Sequence, residues 1–357
     1  MSTHSPHDEI AALAAAVWRD ETSSRDLLLE VLLSRLLSHA PDTAKLVASV
    51  LRARGDQVGK SLGEQLHLRV GEYEGRELDA PAARLVVNYL ILTIKAVEYS
   101  ACLRAFGVAE GAPKVDLGNG LEVALVTVDG ASFAIGMAGP SGNVESAIVL
   151  GGLCALIDFE ASILVGMAAG VRGEVNLGDV VVAEEVLAYE YAEMTLEGPL
   201  LAPRSYGAPN RMIRRVGTLQ EAAPAWAREI SRSTLDIMAN EPESAVALSE
   251  WPVEEDERLD ANWRPHERRG VILAGAKLFE DGSLPRMRAE YHARVKAVEM
   301  DGAGYAAASV EKSKPWLVIR GIADYGEPGR RKHWQFPATY AASLYLRQVL
   351  RHRRVEF

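Results

Sequence analysis

Two cysteines in 357 residues, Cys102 and Cys154, are too few to staple a fold. Both sit in apolar stretches, and no CxxC motif or Cys/His cluster accompanies them. That pattern excludes a zinc site of ordinary spacing and reads as buried thiols in a reducing compartment. No apolar run approaches the roughly 20 residues of a membrane span. The first ten residues, MSTHSPHDEI, are polar and acidic and lack the core of a signal peptide. A net charge of -10 argues against a surface that coats nucleic acid, which needs clustered cations. It leaves room for a small anionic ligand held by a few local cations. The expectation is a cytoplasmic chain with no membrane or nucleic-acid partner, no metal and no cofactor.

What is present is a chain able to bury a core. Hydrophobic residues make up 48% and charged ones 25%, and the length suits one large or two unequal domains. Residues 1–80 read as a small all-α domain. Ser23 and Asp26 form a capping-box-like start before SRDLLLEVLLSRLLSH, and Asp42 caps a second helix that Gly55 closes. The first helix is apolar around most of its girth, so neighbours or a protein partner must cover it. EYEGRELDAP then reads as a linker.

From about residue 83 the pattern changes. RLVVNYLILTI is a continuous β-rich apolar run, the mark of a strand buried on both faces. LEVALVTV and ASFAIGMAG flank Asp129-Gly130 and read as a hairpin. A helix over VESAIVLGGLCALIDF, a strand ASILVGM, strands in LGDVVVAEEVLAYEY and a helix AWAREISRSTLDIMAN follow. Then come a strand RGVILAGAKLF, a helix VEMDGAGYAAASVEK, a strand PWLVIRGIADYG and a final helix from Pro337. The alternation predicts an α/β sandwich with a mostly parallel central sheet over residues 81–357. The stretch of about 193–268 interrupts it and reads as a long insertion with one helix.

Ligands of such sheets bind beyond the carboxyl ends of the strands. Four places there hold candidate chemistry. Met167-Ala168-Ala169-Gly170 is a strand end without bulk, equally readable as a tight turn or as room for a ligand. Arg320 lies inside an apolar strand and must find an anion or several carbonyls. Asp324 ends the same strand and is either its structural partner or a functional acid. Glu299 and Asp301 flank Met300, and carboxylates accept well from a sugar diol. Glu98 follows the first strand at a helix start, as a helix-end charge or a functional base.

Taken in order, these motifs resemble the methylthioadenosine/S-adenosylhomocysteine nucleosidases of the nucleoside phosphorylase/nucleosidase superfamily. The run from Gly142 through Met167-Ala168-Ala169-Gly170, then LGDVVVAEEV, AVEMDGAGYAAA and VIRGIADYG, carry the likeness over residues 83–357. KHWQFPATYAASLYL resembles the last helix of nucleosidase-like domains in multidomain effectors. The resemblance implies that Asp324 protonates the purine at N7 and that Glu98 orients the attacking water. It implies that Asp301 holds the ribose hydroxyls, with Met300 against the sugar. Leu278 and Phe279 correspond to the pair near the base, and Arg320 to the arginine of the last strand. It also implies a homo-oligomer. An acid that serves at neutral pH needs a raised pKa, which burial supplies.

Three departures stand out. Asp301 is one methylene shorter than the family's glutamate, Ala323 replaces a serine, and Leu278 replaces an aromatic. The leading expectation is a purine nucleosidase that hydrolyses the N-glycosidic bond of an adenine nucleoside or nucleotide; a separate reading, from the likeness to nucleosidase-like domains fused to small helical modules, makes it a regulated effector of the kind used in antiphage defence. Water is favoured over phosphate because no Lys or Arg occurs between Lys114 and Arg172, where phosphorylases place phosphate-binding groups. A phosphate-dependent phosphorylase and a non-catalytic nucleotide sensor remain as alternatives. Arg330, Arg331 and Lys332 read as a basic loop that either attracts phosphates or is simply solvated.

Overall fold

Leu85–Thr93 forms strand β1, and its last five residues are buried, as a strand covered on both faces must be. The computed structural model describes residues 84–351, apart from 110, 119, 218–222, 241–258, 260–261 and 329–331. The helices and caps expected over residues 1–80, and Arg330 and Arg331, lie outside the described residues.

Helix α1 (Ala96–Ala105) follows β1, then strands β2 (Val115–Asp116), β3 (Glu122–Val128) and β4 (Ala131–Met137). The β3–β4 hairpin turns at Asp129 and Gly130, with φ of 52° and 81°. Two positive φ values in a two-residue loop match the twist of the flanking strands. Helix α2 (Asn143–Leu156) leads into β5 (Ile157–Gly170), which starts four residues before the expected ASILVGM strand. Strand β6 (Val180–Ala188) comes next, then the exposed hairpin β7 (Ala192–Thr195) and β8 (Gly198–Leu201), and β9 (Arg204–Gly207). Helices α3 (Asn210–Gly217) and α4 (Ala223–Asn240), strand β10 (Glu267–Ala274), helix α5 (Leu284–Tyr291) and strand β11 (Val295–Glu299) complete the middle of the chain. The chain closes with α6 (Gly302–Glu311), β12 (Trp316–Asp324) and α7 (Gln335–Arg351).

The sheet runs β11-β10-β6-β12-β5-β1-β4-β3-β2, with β9 on β6. It is mixed, not mostly parallel: five pairings are parallel and five antiparallel. Connection length is the physical reason. A parallel neighbour needs a crossover of about a dozen residues or more. The β3–β4 loop is too short, and β5 reaches β6 through residues 171–179 without a helix, so β6 runs against β12. A second pairing of β11 with the end of β5 closes β5, β11, β10, β6 and β12 into a ring. That closure brings the carboxyl ends of both strand directions together.

Neighbouring residues in a strand point to opposite faces. In β12, a Cβ on Gly321 would overlap the backbone of Ala338 in α7, while Arg320 reaches the residues that open α6. Helices α6 and α7 therefore cover opposite faces, which makes the sandwich. Helix α4 packs on α7, with Trp226 edge-on to Tyr345 at 5.2 Å between centroids. The expected insertion thus holds a hairpin, a paired strand and two helices, because Met212, Trp226, Ile230 and Met238 are apolar anchors that reach the core.

The helix expected over residues 298–312 splits. Val295–Glu299 is strand, Asp301 takes the N-cap position, and the helix starts at Gly302. Glu299 accepts from the N–H groups of Asp301 (3.0 Å) and Gly302 (2.8 Å), satisfying donors that a helix start leaves open. Gly304 is explained by close approach: a Cβ there would fall inside the backbone of Asn143, where α2 and α6 meet. Asn143 Oδ1 also accepts from Gly304 N–H at 3.0 Å. Gly304→Ala is expected to lower stability by about 3 kcal/mol, the upper part of the overpacking range. Urea unfolding reads this as a lower midpoint at constant m; an unmoved midpoint would contradict the contact.

Cys102 and Cys154 are both buried and free. Burial pushes the Cys102 thiol up to about 12, so it is a packing residue. No helix among the described residues is long and apolar enough to cross a membrane.

Candidate active site

Three strand ends and three loops converge on one cleft that is partly open to solvent. Its wall includes Ile94, Lys95 and Glu98 after β1, Ser141 after β4, and Met167, Ala168 and Ala169 near the end of β5. Lys277, Leu278 and Phe279 after β10, Val298 to Asp301 at the end of β11, and Asp324 at the end of β12 complete it. Nine of the eleven residues singled out by sequence meet here. Arg320 and Gly170 are not in the wall. Gly170 pairs with Ala297, and a Cβ on it would meet Val175 and Ile322, so its smallness serves sheet closure.

Arg320 stands directly behind the wall, fully buried. The anions it requires are Glu299, Asp301 and Glu98. Its Nη2 donates to Glu299 and, at 3.4 Å, to Asp301 Oδ2, while its Nη1 lies 3.9 Å from Glu98 Oε1. Gly166 faces Arg320 across the β5–β12 ladder, and a Cβ there would overlap both Arg320 and Glu98. Only a glycine leaves room for this approach.

Each carboxylate is held by backbone donors. Glu98 accepts from the N–H groups of Met167 at 2.8 Å and of Ile94 and Lys95, both at 2.9 Å. Asp301 Oδ1 accepts from Gly142 N–H at 2.7 Å, and its carbonyl accepts from Ser146 Oγ at 2.7 Å. The end of β11 is therefore pinned to the start of α2. Three buried carboxylates around one guanidinium leave an excess of negative charge. Burial first, and repulsion by Glu299 second, raise the Asp301 pKa to about 7, against the opposing pull of Arg320 and the Gly142 N–H. Near neutrality this carboxyl exchanges its proton readily and can act as donor or acceptor. The guanidinium is held charged by the same cluster.

Asp324 is half-buried at the cleft, and its Oδ1 accepts from Gly326 N–H at 2.9 Å. Phe279 backs onto Tyr189, whose ring also meets Tyr291, so the aromatic side of the wall is three rings deep. Leu278 remains 58% exposed at the rim. Sequence reasoning missed Lys95, Lys277 and Ser141. Lys95 lies three residues before Glu98 and Lys277 directly before Leu278, and that adjacency was the available signal. Lys277 pairs with Glu190 at 3.4 Å; Lys95 has no ion pair among the described residues. No group of three or more His, Cys, Asp or Glu side chains among the described residues could hold a metal ion.

The family model described as the phosphorylase superfamily matches residues 98–344. The ATP nucleosidase Cap17 of Escherichia coli strain KTE188 is 27% identical over 274 residues, covering 74% of this chain and 51% of that protein. The chain thus spans about half the length of the curated relatives it matches. Among solved structures, the 5′-methylthioadenosine/S-adenosylhomocysteine nucleosidase of Helicobacter pylori overlays with a TM-score of 0.54 at 14% identity, over 75% of this chain and 99% of that one. The futalosine hydrolase of the same organism overlays with a TM-score of 0.51 at 15% identity, over 75% and 99%. The matched region runs from Glu98 itself into α7 and carries most of the cleft wall, and by that match the chain belongs to the phosphorylase superfamily.

Proposed function

We propose that the chain hydrolyses the N-glycosidic bond of an adenine nucleotide or nucleoside. The observation that carries this reading is the convergence of Asp324, Glu98 and Asp301 on one cleft with an aromatic wall. Cleavage of the C1′–N9 bond leaves its electron pair on the base and positive charge on the sugar. Asp324 hands a proton to N7 of the leaving base, which general acid catalysis makes about 10²–10⁴-fold easier. Glu98, fixed by three backbone donors, orients the water that attacks C1′ and stabilises the cationic sugar. Asp301, with Glu299 behind it and Met300 beside it, receives the ribose hydroxyls, and Phe279 flanks the base. Arg320 acts from behind, by holding the carboxylates in place.

The relative named as an ATP nucleosidase supports a nucleotide substrate. So do Lys95 and Lys277, two cations in the cleft wall. Lys95→Gln is expected to lower the ratio of ATP to adenosine kcat/KM by about tenfold, the value of one charge-assisted contact. An unchanged ratio would remove Lys95 from phosphate recognition. The test of the function itself is adenine release from ATP, AMP, adenosine and methylthioadenosine, each with and without inorganic phosphate. Adenine appearing in none of them would end this reading.

Phosphorolysis is the second reading, and Lys95 favours it. The cleft draws cations from outside residues 115–171, so the lack of Lys and Arg there does not by itself deny phosphate a place. Activity only in the presence of phosphate would establish it. The remaining expectations stand as proposals: cytoplasmic location, a regulated effector role in defence, a protein partner for residues 1–80, and a homo-oligomer. The oligomer is supported by Val144 and Ile148, which lie four apart on α2 and are 66% and 69% exposed.

A further inference from the structure

We propose that Arg172 is the positioning residue that holds Asp324 in the cleft. This rests on the reading of Asp324 as the acid. The β5–β12 ladder pairs Ile322 with Ala168 and then Asp324 with Ala169, so the register shifts just before Asp324. Such an irregularity re-aims a side chain and removes the pleat that would otherwise fix its direction. The direction of Asp324 is then set by the segment that follows it.

That segment is clamped by one guanidinium. Arg172 lies 4.0 Å from the ring centroid of Tyr325, and its Nε and Nη2 donate to Oε1 and Oε2 of Glu327, each at 2.7 Å. Arg172 therefore grips the residues on both sides of Gly326, whose N–H donates to Asp324 Oδ1. The carbonyl of Gly326 accepts from Gly282 N–H at 2.9 Å, which ties the same point to the loop after β10. The anchor of the clamp is itself docked. Val171 N–H donates to Lys296 O at 2.9 Å, and Gly178 N–H to Ile322 O at 2.8 Å, fixing the loop of residues 171–179 on β11 and β12.

The clamp is built for geometry. The Arg172 and Glu327 side chains are 40% and 41% exposed, and an ion pair that wet contributes little to stability. A bidentate fork stacked on a ring nevertheless fixes distance and plane together, which a lysine cannot do. A misplacement of about 1 Å at a reacting group can cost about 10²-fold in rate.

The test is Arg172→Lys and Arg172→Ala in the full chain, alone and combined with Asp324→Asn. The expected result is a kcat at least about tenfold lower in both, with KM moved less than about threefold and no rescue by lysine. In the Asp324→Asn background the Arg172 change is expected to add nothing, since both act on one proton transfer. A normal kcat, a loss confined to KM, or full additivity would overturn the clamp while leaving the proposed reaction in place. If the wild-type chain releases base from no substrate, the proposed reaction fails, and hydrogen exchange at the Gly326 amide decides the clamp. Exchange about tenfold or more faster in Arg172→Ala upholds it, and unchanged exchange overturns it.

Discussion

Asp324→Asn is expected to lower the rate of adenine release by about 10²–10⁴-fold while leaving the fold intact. An amide has no acidic proton to give to N7, so the departing base must leave as an anion. The substitution is nearly isosteric, and the amide oxygen can still accept from Gly326 N–H, the contact that Asp324 Oδ1 makes at 2.9 Å. The side chain is half-buried, so no core packing is removed. The measurements are product release under single-turnover conditions and the thermal midpoint of each protein. A variant that releases adenine at the wild-type rate would remove Asp324 from the mechanism. A wild-type chain that binds ATP yet releases nothing would favour a sensor instead.

Arg320→Met carries the largest expected cost in stability, about 3–5 kcal/mol, the usual result of taking one partner from a buried charge cluster. Methionine fills much of the volume, so the loss isolates charge from packing. Glu98, Glu299 and Asp301 would face one another without their cation. The loss should depend on pH in a defined sense. Asp301 has a folded pKa near 7 against about 4 unfolded. Its raised pKa contributes stability that is full below about pH 4 and is lost as pH rises through about 7. Arg320 opposes that rise, so without it the pKa goes higher and the ionised form costs more. The gap between variant and wild type should therefore be widest near about pH 8 and shrink toward about pH 5, as Asp301 takes up its proton. Denaturant titrations at both values read it, and a gap that is constant, or wider at the acid end, would refute the cluster as described.

The two substitutions separate roles that the sequence places four residues apart. Arg320 points to the face where α6 begins and Asp324 to the cleft, so one strand supplies both the support and the proposed acid. The sequence left Arg320 an anion or several carbonyls as partners, and three carboxylates at once were not expected. Nothing in the spacing of Glu98, Glu299 and Asp301 shows that β1, β11 and β12 bring their ends within reach of a single guanidinium.

The departures from the family pattern take on a physical meaning here. Asp301 is short, yet it is held by Gly142 N–H and approached by Arg320, so its position is specified by the protein around it. Leu278 gives up a ring, and Phe279 keeps one against Tyr189 and Tyr291.

Local chemistry determined much of this protein by itself. The unbroken apolar run of β1 could only be a strand covered on both faces, and Asp129-Gly130 could only turn a hairpin of that twist. The carboxylates sit after apolar strands, and strand ends are where an α/β sheet leaves polar groups exposed to a ligand. Tertiary structure decided the rest. Strand direction depended on how far each connection could reach, which made the sheet mixed. Gly304 and Gly166 owe their identity to chain segments that pass close by and are distant in sequence. Lys95 and Lys277 joined the site because the ring closes through β5 and β11, and such a closure is set by backbone pairing that no single segment encodes.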